Sequence, residues 1–481
     1  MRGFAVNDES FSSAHFARIS KEQCQKIHWA SLEILERTGL RIHDEEAVSI
    51  LKEGGAWVSD ADRVRIPSGL VEKAFSTVPH RFTLYNRLGE PVMPVEGHRC
   101  FYGTGSDCLS IIDHRTDEYR PAVLNDVKEA TVLSDALENL DFVMSFFLPS
   151  DIDRHSYDLH QMEVMLNNTT KPIVIVTHDE VSMAKCVEMA EAVAGSPEAL
   201  RQNPFVTCYI NVTTGLRHNE EALRKLIYLA RKGLPSLYIP IVSAGLTAPV
   251  TLAGAAASTI AGVLGGLVLS QLVREGAPFT MPGWGARAIN MKTASYAYFT
   301  ADDKGVMAAM AHYFGLPIFD YGGYSDSKAV DQQAGAEAAA SLLFATLNGG
   351  NIIHDLGFLE AGLIGSLVQL AICDELIPWI QHALGPVEIS DETLALDLID
   401  QKGPDGQFLD DEHTFKHFRE LWTPNLIDQK NYDRWAAEGK KTLGTRTAEY
   451  VQELLNTHKP DPLPPEVQSK IHDIAHSSQK K

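Results

Sequence analysis

With 481 residues, 44% of them hydrophobic, the chain is long enough for a large core, built as two or three domains or as one α/β barrel with extensions. Its 63 acidic against 42 basic side chains leave a formal charge of −21, which repels phosphate backbones and anionic lipid and argues against nucleic-acid or membrane-surface partners. Six scattered cysteines with no CxxC pair, and an N-terminus with early acids and no apolar run, predict a reduced cytoplasmic protein without a secretory leader.

In chain order, residues 1–98 read as an extension of helices and short strands. Ser20 is placed to cap a helix running to Thr38, with Gly39 as its stop and Ile27, Ala30, Ile34 and Leu35 on one face. A second helix covers 44–53, and a strand-like piece covers 82–85. From 99 to 384 a regular alternation sets in. The expected strands are 100–104, 142–147, 172–177, 205–211, 236–242, 279–284, 317–322 and 351–355. Helix-length stretches at 155–168, 182–194, 220–232, 294–313 and 334–347 separate them, several followed by a C-cap glycine such as Gly195, Gly233 or Gly315. Short apolar strands of β-branched and aromatic residues are those that helices cover. Eight of them, with no Gly-rich dinucleotide turn after the first, predict an α/β fold of (β/α)8 TIM-type barrel architecture.

Within the first connection, 110–113 and 118–122 read as an inserted hairpin. Residues 246–273 carry no charge and are long enough to cross a bilayer. Their Gly, Ala, Ser and Thr content instead suits a helix packed closely inside a large protein or at a subunit interface, so no membrane span is expected and a homo-oligomer is. Residues 385–481 form a C-terminal helical extension, with helical patches at 411–422 and 446–456 before a Pro-rich charged tail.

Catalytic groups of such barrels come from the C-terminal strand ends and the loops that follow. These positions hold Tyr102 and Asp107 after the first strand, Trp284 and Arg287 after the sixth, Tyr321, Tyr324 and Asp326 after the seventh, and His354 and Phe358 at the eighth. His178 and Asn211 stand at two further strand ends. Tyr102, Trp284, Tyr321, Tyr324 and Phe358 together fit an electron-rich cage, which a quaternary ammonium needs because it has no N–H to donate. Core packing accounts for any one of these aromatics equally well. His354 is either a ligand-facing donor or a satisfied core histidine. It precedes Asp355, and neighbours on a strand face opposite ways. His98, Cys100 and Cys108 lack the second close ligand pair of a zinc site, so no metal is expected. No P-loop and no GxSxG elbow is found.

The run Gly323-Tyr324-Ser325-Asp326-Ser327-Lys328, then Asp331-Gln332-Gln333-Ala334-Gly335 and Glu337, then Gly349-Gly350-Asn351-Ile352-Ile353-His354-Asp355 and the following Leu356 to Leu363, resembles the trimethylamine methyltransferase family. So does Leu35-Glu36-Arg37-Thr38-Gly39. The resemblance spans roughly residues 20–460. It implies a (β/α)8 barrel that passes a substrate methyl to a corrinoid (cobalamin) carried by a separate partner protein, with no cofactor held tightly by this chain. Founding members contain pyrrolysine, whereas this chain has only standard residues, which implies the branch acting on glycine betaine and related quaternary amines. Carnitine, proline betaine and choline are the alternatives. A betaine carboxylate needs an anchor, for which His354 and Arg287 are the candidate donors, with Tyr102 as wall and donor together. Two readings of other classes stay open: a barrel lyase or hydrolase with His354 and Asp326 as acid and base, and a non-catalytic small-molecule binding protein.

Overall fold

Ser20 and Gln23 form a reciprocal capping box that starts helix α1 (Lys21–Glu33). The helix widens into a single π-helical stretch, Ile34–Thr38, and ends at Gly39 with φ 71°. A β-carbon at Gly39 would lie 2.5 Å from the Val64 carbonyl oxygen, so the turn needs glycine for space as well as for conformation. The computed structural model describes residues 4–5, 14–285, 287–293, 295–302 and 304–477. The N-terminal stretch behind the leader expectation lies mostly outside them.

The centre is a parallel sheet of seven strands: β1 (Arg99–Thr104), β2 (Ile173–Ile175), β3 (Val206–Val212), β4 (Ser236–Pro240), β5 (Phe279–Pro282), β6 (Ile318–Tyr321) and β7 (Ile352–Leu356). Their order in space is β1-β7-β6-β5-β4-β3-β2. Phe4–Ala5 adds an antiparallel piece to the free side of β1. The expected strand 142–147 forms no ladder. It makes single parallel bridges, Phe142 to Gly103, Phe147 to Cys108 and Val143 to Ile173, and so touches both β1 and β2. Phe146 has φ 61°, which breaks the extended geometry a ladder requires. The Thr104 side chain substitutes for ladder bonds, its hydroxyl donating to the Met144 carbonyl and accepting the Met144 amide.

Helices connect the strands: α2 (Leu124–Ala136), α3 (Tyr157–Asn168), α4 (Glu180–Ala194), α5 (Glu220–Lys232), α6 (Leu252–Val273), α7 (Val306–Phe314), α8 (Gln332–Leu347) and α9 (Leu367–Leu384). The inserted hairpin forms from Ser110–Ile112 and Tyr119–Pro121. The helix expected at 294–313 is largely absent, and its first residue lies outside the described ones. Arg287–Asn290 and Ser295–Tyr296 pair as an antiparallel hairpin instead, joined to Ser243–Ala244, and α7 starts only after Gly305. Arg287, Ala288, Ile289 and Asn290 alternate in exposure, the period of a strand, and their pairing draws Ser295 and Tyr296 out of the expected helix.

α6 carries the uncharged run. It packs against α1, α5 and the helix Ser68–Thr77 and is buried along most of its length. Among the described residues it is the one helix long and apolar enough to cross a membrane by length and composition. Its small residues have local reasons. A β-carbon at Gly262 would lie 2.1 Å from the Gly215 carbonyl oxygen, and one at Gly266 would meet the Tyr238 ring at 2.3 Å. Beyond α9, helices α10 (Leu443–Thr457) and α11 (Pro465–His476) pack back onto the body, α10 on α9 and α2, α11 on α3 and α4. α11 occupies what reads in the sequence as a Pro-rich tail. Pro465 sits at its first turn, where the missing N–H costs nothing, and Ile471 and Ala475 are buried one turn apart.

Candidate functional site

Strand parity decides which side chains meet. The pairing register aligns Tyr321 with His354, Phe319 with Ile352, and Asp320 with Ile353 beside Tyr102. Because alternate residues face opposite sides, Tyr209, Phe319, Tyr321 and His354 fall on the inner face, and Tyr102 falls on the other. The Tyr102 hydroxyl hydrogen-bonds Thr346 of α8 at 2.9 Å. The structure therefore does not bring Tyr102 to the other aromatics; it belongs to the packing between sheet and helices.

The inner aromatics form one connected group. His354 stacks on Phe319 at 4.0 Å, with Trp284 at 5.4 Å and Tyr209 at 6.1 Å. Trp284 meets Tyr321 edge-on at 5.0 Å, and Tyr321 stacks on Tyr324 at 4.8 Å. Tyr298 stands edge-on to Tyr321 and to Tyr324. Two cations of the chain lie over these rings. The Arg287 guanidinium is 3.8 Å from the Tyr298 ring centre and 4.6 Å from that of Tyr321. Lys304 Nζ lies 3.9 Å from the Tyr321 centre and donates to the Tyr324 hydroxyl. The π surface of Tyr321 is thus engaged by the protein's own cations.

Two carboxyls border the group. Asp355 has φ 74°, and the β7–β1 register shifts between Ile353 and Leu356. This irregularity brings its carboxylate to the same side as its neighbour, with Oδ1 3.5 Å from His354 Nε2. The rule that strand neighbours diverge fails here because the backbone is not extended. Burial raises the Asp355 pKa, opposed by His354, Arg287, a hydrogen bond with Tyr298, and Lys304. Gly105 makes room for it: a β-carbon there would overlap the Phe358 ring and Asp355 Oδ1. Asp107, at φ 66°, is pushed up to about 6 by burial, against hydrogen bonds from Gln161, Ser106 and Ser145. Asp107, Phe146 and Asp355 are three non-glycine residues in left-handed conformations around one strand end, a strain that surrounding structure must hold.

Burial lowers the His354 pKa, against the opposing pull of Asp355, and so favours the neutral ring. Its Nδ1 lies 2.7 Å from the Asp320 carbonyl oxygen, so Nδ1 carries the proton and Nε2 is an acceptor. In this tautomer a neutral His354 offers a substrate carboxylate an acceptor rather than a donor, so Arg287 is the better placed of the two candidate anchors. Asp326 is also placed differently from expectation. Its carboxylate accepts the backbone N–H groups of Tyr298 and Phe299, so it ties down the segment that presents Tyr298. Its own N–H donates to Glu337 at 2.7 Å. Phe358 lies against Phe146 at 5.8 Å, on the Asp355 side of the group. His178 instead pairs with Asp158 at 2.7 Å.

Tyr209, Tyr298, Lys304 and Gln161 join the site without having been singled out in the sequence. Tyr209 lies mid-strand, two residues before the expected strand end at Asn211. Tyr298 and Lys304 lay in a stretch expected to be helical. A repeated Tyr pattern, Tyr296 and Tyr298, was the available signal.

A family model described as trimethylamine methyltransferase (MTTB) matches residues 10–480. The trimethylamine methyltransferase MttB of Desulfitobacterium hafniense (strain DSM 10664 / DCB-2) is 33% identical, over 98% of this chain and 95% of that protein. The glycine betaine methyltransferase of D. hafniense strain Y51 is 28% identical, over 94% and 95%. Among solved structures, the Methanosarcina barkeri monomethylamine methyltransferase (MtmB) is similar at 13% identity and a TM-score of 0.49, covering 92% of this chain and 88% of that one. With a family match over nearly its whole length, the chain belongs to the trimethylamine methyltransferase family.

Proposed function

We propose that this methyltransferase takes a methyl group from glycine betaine or a close quaternary amine and delivers it to the Co(I) of a corrinoid held by a partner protein. The observation that carries this reading is charge of both signs on one aromatic surface: Arg287 stacked over Tyr298 and Tyr321, beside the buried carboxyls Asp355 and Asp107. A zwitterion fits that arrangement. Its ammonium end faces the acids and the Trp284 and Tyr209 rings, and its carboxylate end meets Arg287.

The acceptor supplies the nucleophile; this chain supplies position. The methyl C–N bond breaks with its electron pair staying on nitrogen, so the amine leaves neutral and no general acid is required. Holding the ammonium in a dry pocket with one methyl outward is then the main catalytic task. The acids contribute mainly to binding, because the cationic charge they attract fades in the transition state. In this reading residues 99–384 form a barrel closed through 142–147, the flanking segments 1–98 and 385–481 are extensions, and the protein is a cytoplasmic oligomer.

The higher identity to the MttB relative favours trimethylamine as a second reading. The test is incubation with reduced cobalamin or a reduced corrinoid protein and separate glycine betaine, carnitine, choline and trimethylamine, following the methylcobalamin spectrum. Methyl transfer from betaine supports the proposal. Transfer from trimethylamine alone replaces it with the second reading, and elimination or hydrolysis without corrinoid would refute both.

A further inference from the structure

Helices α3 and α11 pack together, and where they meet four side chains of metal-ligand type converge. α3 contributes His160 and Glu163, one turn apart; α11 contributes His472 and His476, also one turn apart. Glu163 Oε2 is 3.8 Å from His160 Nδ1 and 3.4 Å from His476 Nε2. Its other oxygen is 2.8 Å from His472 Nδ1. The His160 and His476 rings are 4.6 Å apart, and those of His472 and His476 are 4.0 Å apart. One ligand atom each from His160, Glu163 and His476 lies within 4.8 Å of the other two. Adjacent ligand atoms on a tetrahedral zinc, with bonds near 2.0–2.2 Å, are about 3.3 Å apart. The two contacts to Glu163 Oε2 are already close to that spacing.

We infer that His160, Glu163 and His476 form a binding site for a first-row divalent cation such as Zn2+, with His472 completing or orienting the set. Three imidazoles about one carboxylate are more than an ordinary ion pair uses. His160 is only 4% exposed, and its Nε2 has no hydrogen-bond partner, so the ion pairs with Glu163 leave one buried ring nitrogen of the cluster unsatisfied. Nitrogen-rich ligation selects zinc-like ions over calcium or magnesium. An open cleft of about 1040 Å³, also lined by Asp151, Asp153 and Lys128, gives an ion access. The cluster is remote in sequence from His98, Cys100 and Cys108.

Such an ion clips the C-terminal helix onto α3, and α3 reaches the methyl-transfer site through Gln161, whose side chain lies beside Asp107 and donates to the Phe147 carbonyl. The site stands apart from the proposed function, because the leaving amine needs no Lewis acid.

The test uses untagged full-length protein stripped with a chelator and titrated with ZnCl2. Calorimetry should saturate at one equivalent, the melting temperature should rise, and amide exchange of α11 should slow. Cobalt(II) in place of zinc should give the intense visible bands of a tetrahedral site. His160→Ala and His476→Ala should abolish saturable uptake, and Glu163→Gln should weaken it. The half-buried His476 keeps the test decisive should the His160 variant fail to fold. Absence of saturable binding in the wild type, or uptake unchanged in His476→Ala, would overturn the site whatever the methyl donor proves to be.

Discussion

The carboxylate of Asp326 accepts the backbone N–H of Tyr298 at 2.9 Å and that of Phe299 at 3.0 Å, fastening the segment that carries Tyr298 to the end of β6. Asp326→Ala removes both acceptors. Hydrogen bonds to charged groups contribute about 1.5–3 kcal/mol when buried, and partial exposure here lowers the expected loss of stability to about 1 kcal/mol. The larger effect should be on substrate. KM should rise because Tyr298 no longer backs Arg287, while Asp326→Asn, which keeps one acceptor oxygen, should recover part of the loss. Steady-state kinetics of both variants decide this, and an unchanged KM in Asp326→Ala would show that the segment holds itself.

Arg287 and His354 should separate by substrate. Arg287→Ala should weaken betaine by about 1.5–3 kcal/mol, the range for a hydrogen bond to a charged group, and choline much less, since choline lacks the carboxylate. Arg287→Lys should rescue poorly, because a lysine cannot stack flat on Tyr298 or offer a paired contact. His354→Ala should weaken both ligands alike, because it removes the plate between Phe319 and Trp284 rather than a donor. Equal losses for betaine and choline in Arg287→Ala would remove Arg287 as the anchor.

Asp107 ionises only as pH rises through about 6, burial being the leading cause. Its attraction for an ammonium is therefore present above that pH and lost below it. Betaine affinity should strengthen between about pH 5 and about pH 7 and then level off, and Asp107→Asn should flatten that part of the profile. Asp355, also raised, should leave a residual dependence of the same sign. Binding that strengthens toward acid contradicts this assignment.

Two glycine-to-alanine exchanges should act in opposite directions. At Gly262 the added methyl meets a backbone oxygen of Gly215 that cannot step aside, so Gly262→Ala should cost about 1–3 kcal/mol. At Gly69, in the helix Ser68–Thr77, nothing lies within 4 Å, so Gly69→Ala should stabilise by up to about 1 kcal/mol through helix propensity. Urea denaturation of the pair measures both. Similar behaviour of the two variants would mean that α6 shifts freely against the loop it packs on.

Most of the scaffold could be read from apolar runs and their punctuation. Seven strands and helices such as α3, α4, α5 and α8 fall close to where periodicity and C-cap glycines put them. The failures have particular causes. The segment 142–147 is apolar enough for a strand, yet Phe146 leaves the extended region, which no composition signals. Tyr102 and Tyr321 both sit at strand ends and look equivalent in sequence; only the register reveals that one faces the helices and the other the site. Asp355 was set aside by the alternation rule and restored by a backbone irregularity. Tyr298 and Lys304 lie in the segment between a hairpin and α7 where a helix was expected, and α11 was hidden by the prolines that in fact begin it.

The position of α6 along the chain has a consequence for how the protein is made. Its main covers, α1, the helices Glu45–Glu53 and Ser68–Thr77, α5 and β4, all precede it in sequence. A ribosome therefore releases this greasy 22-residue segment only after most of its partners have emerged, and docking can begin at once. A chain diluted from denaturant has no such timetable: every copy exposes the segment together, before any cover has formed, and intermolecular association competes with folding. Recovery after full unfolding should fall steeply with protein concentration, so heat inactivation is governed by the rate of first opening rather than by an equilibrium.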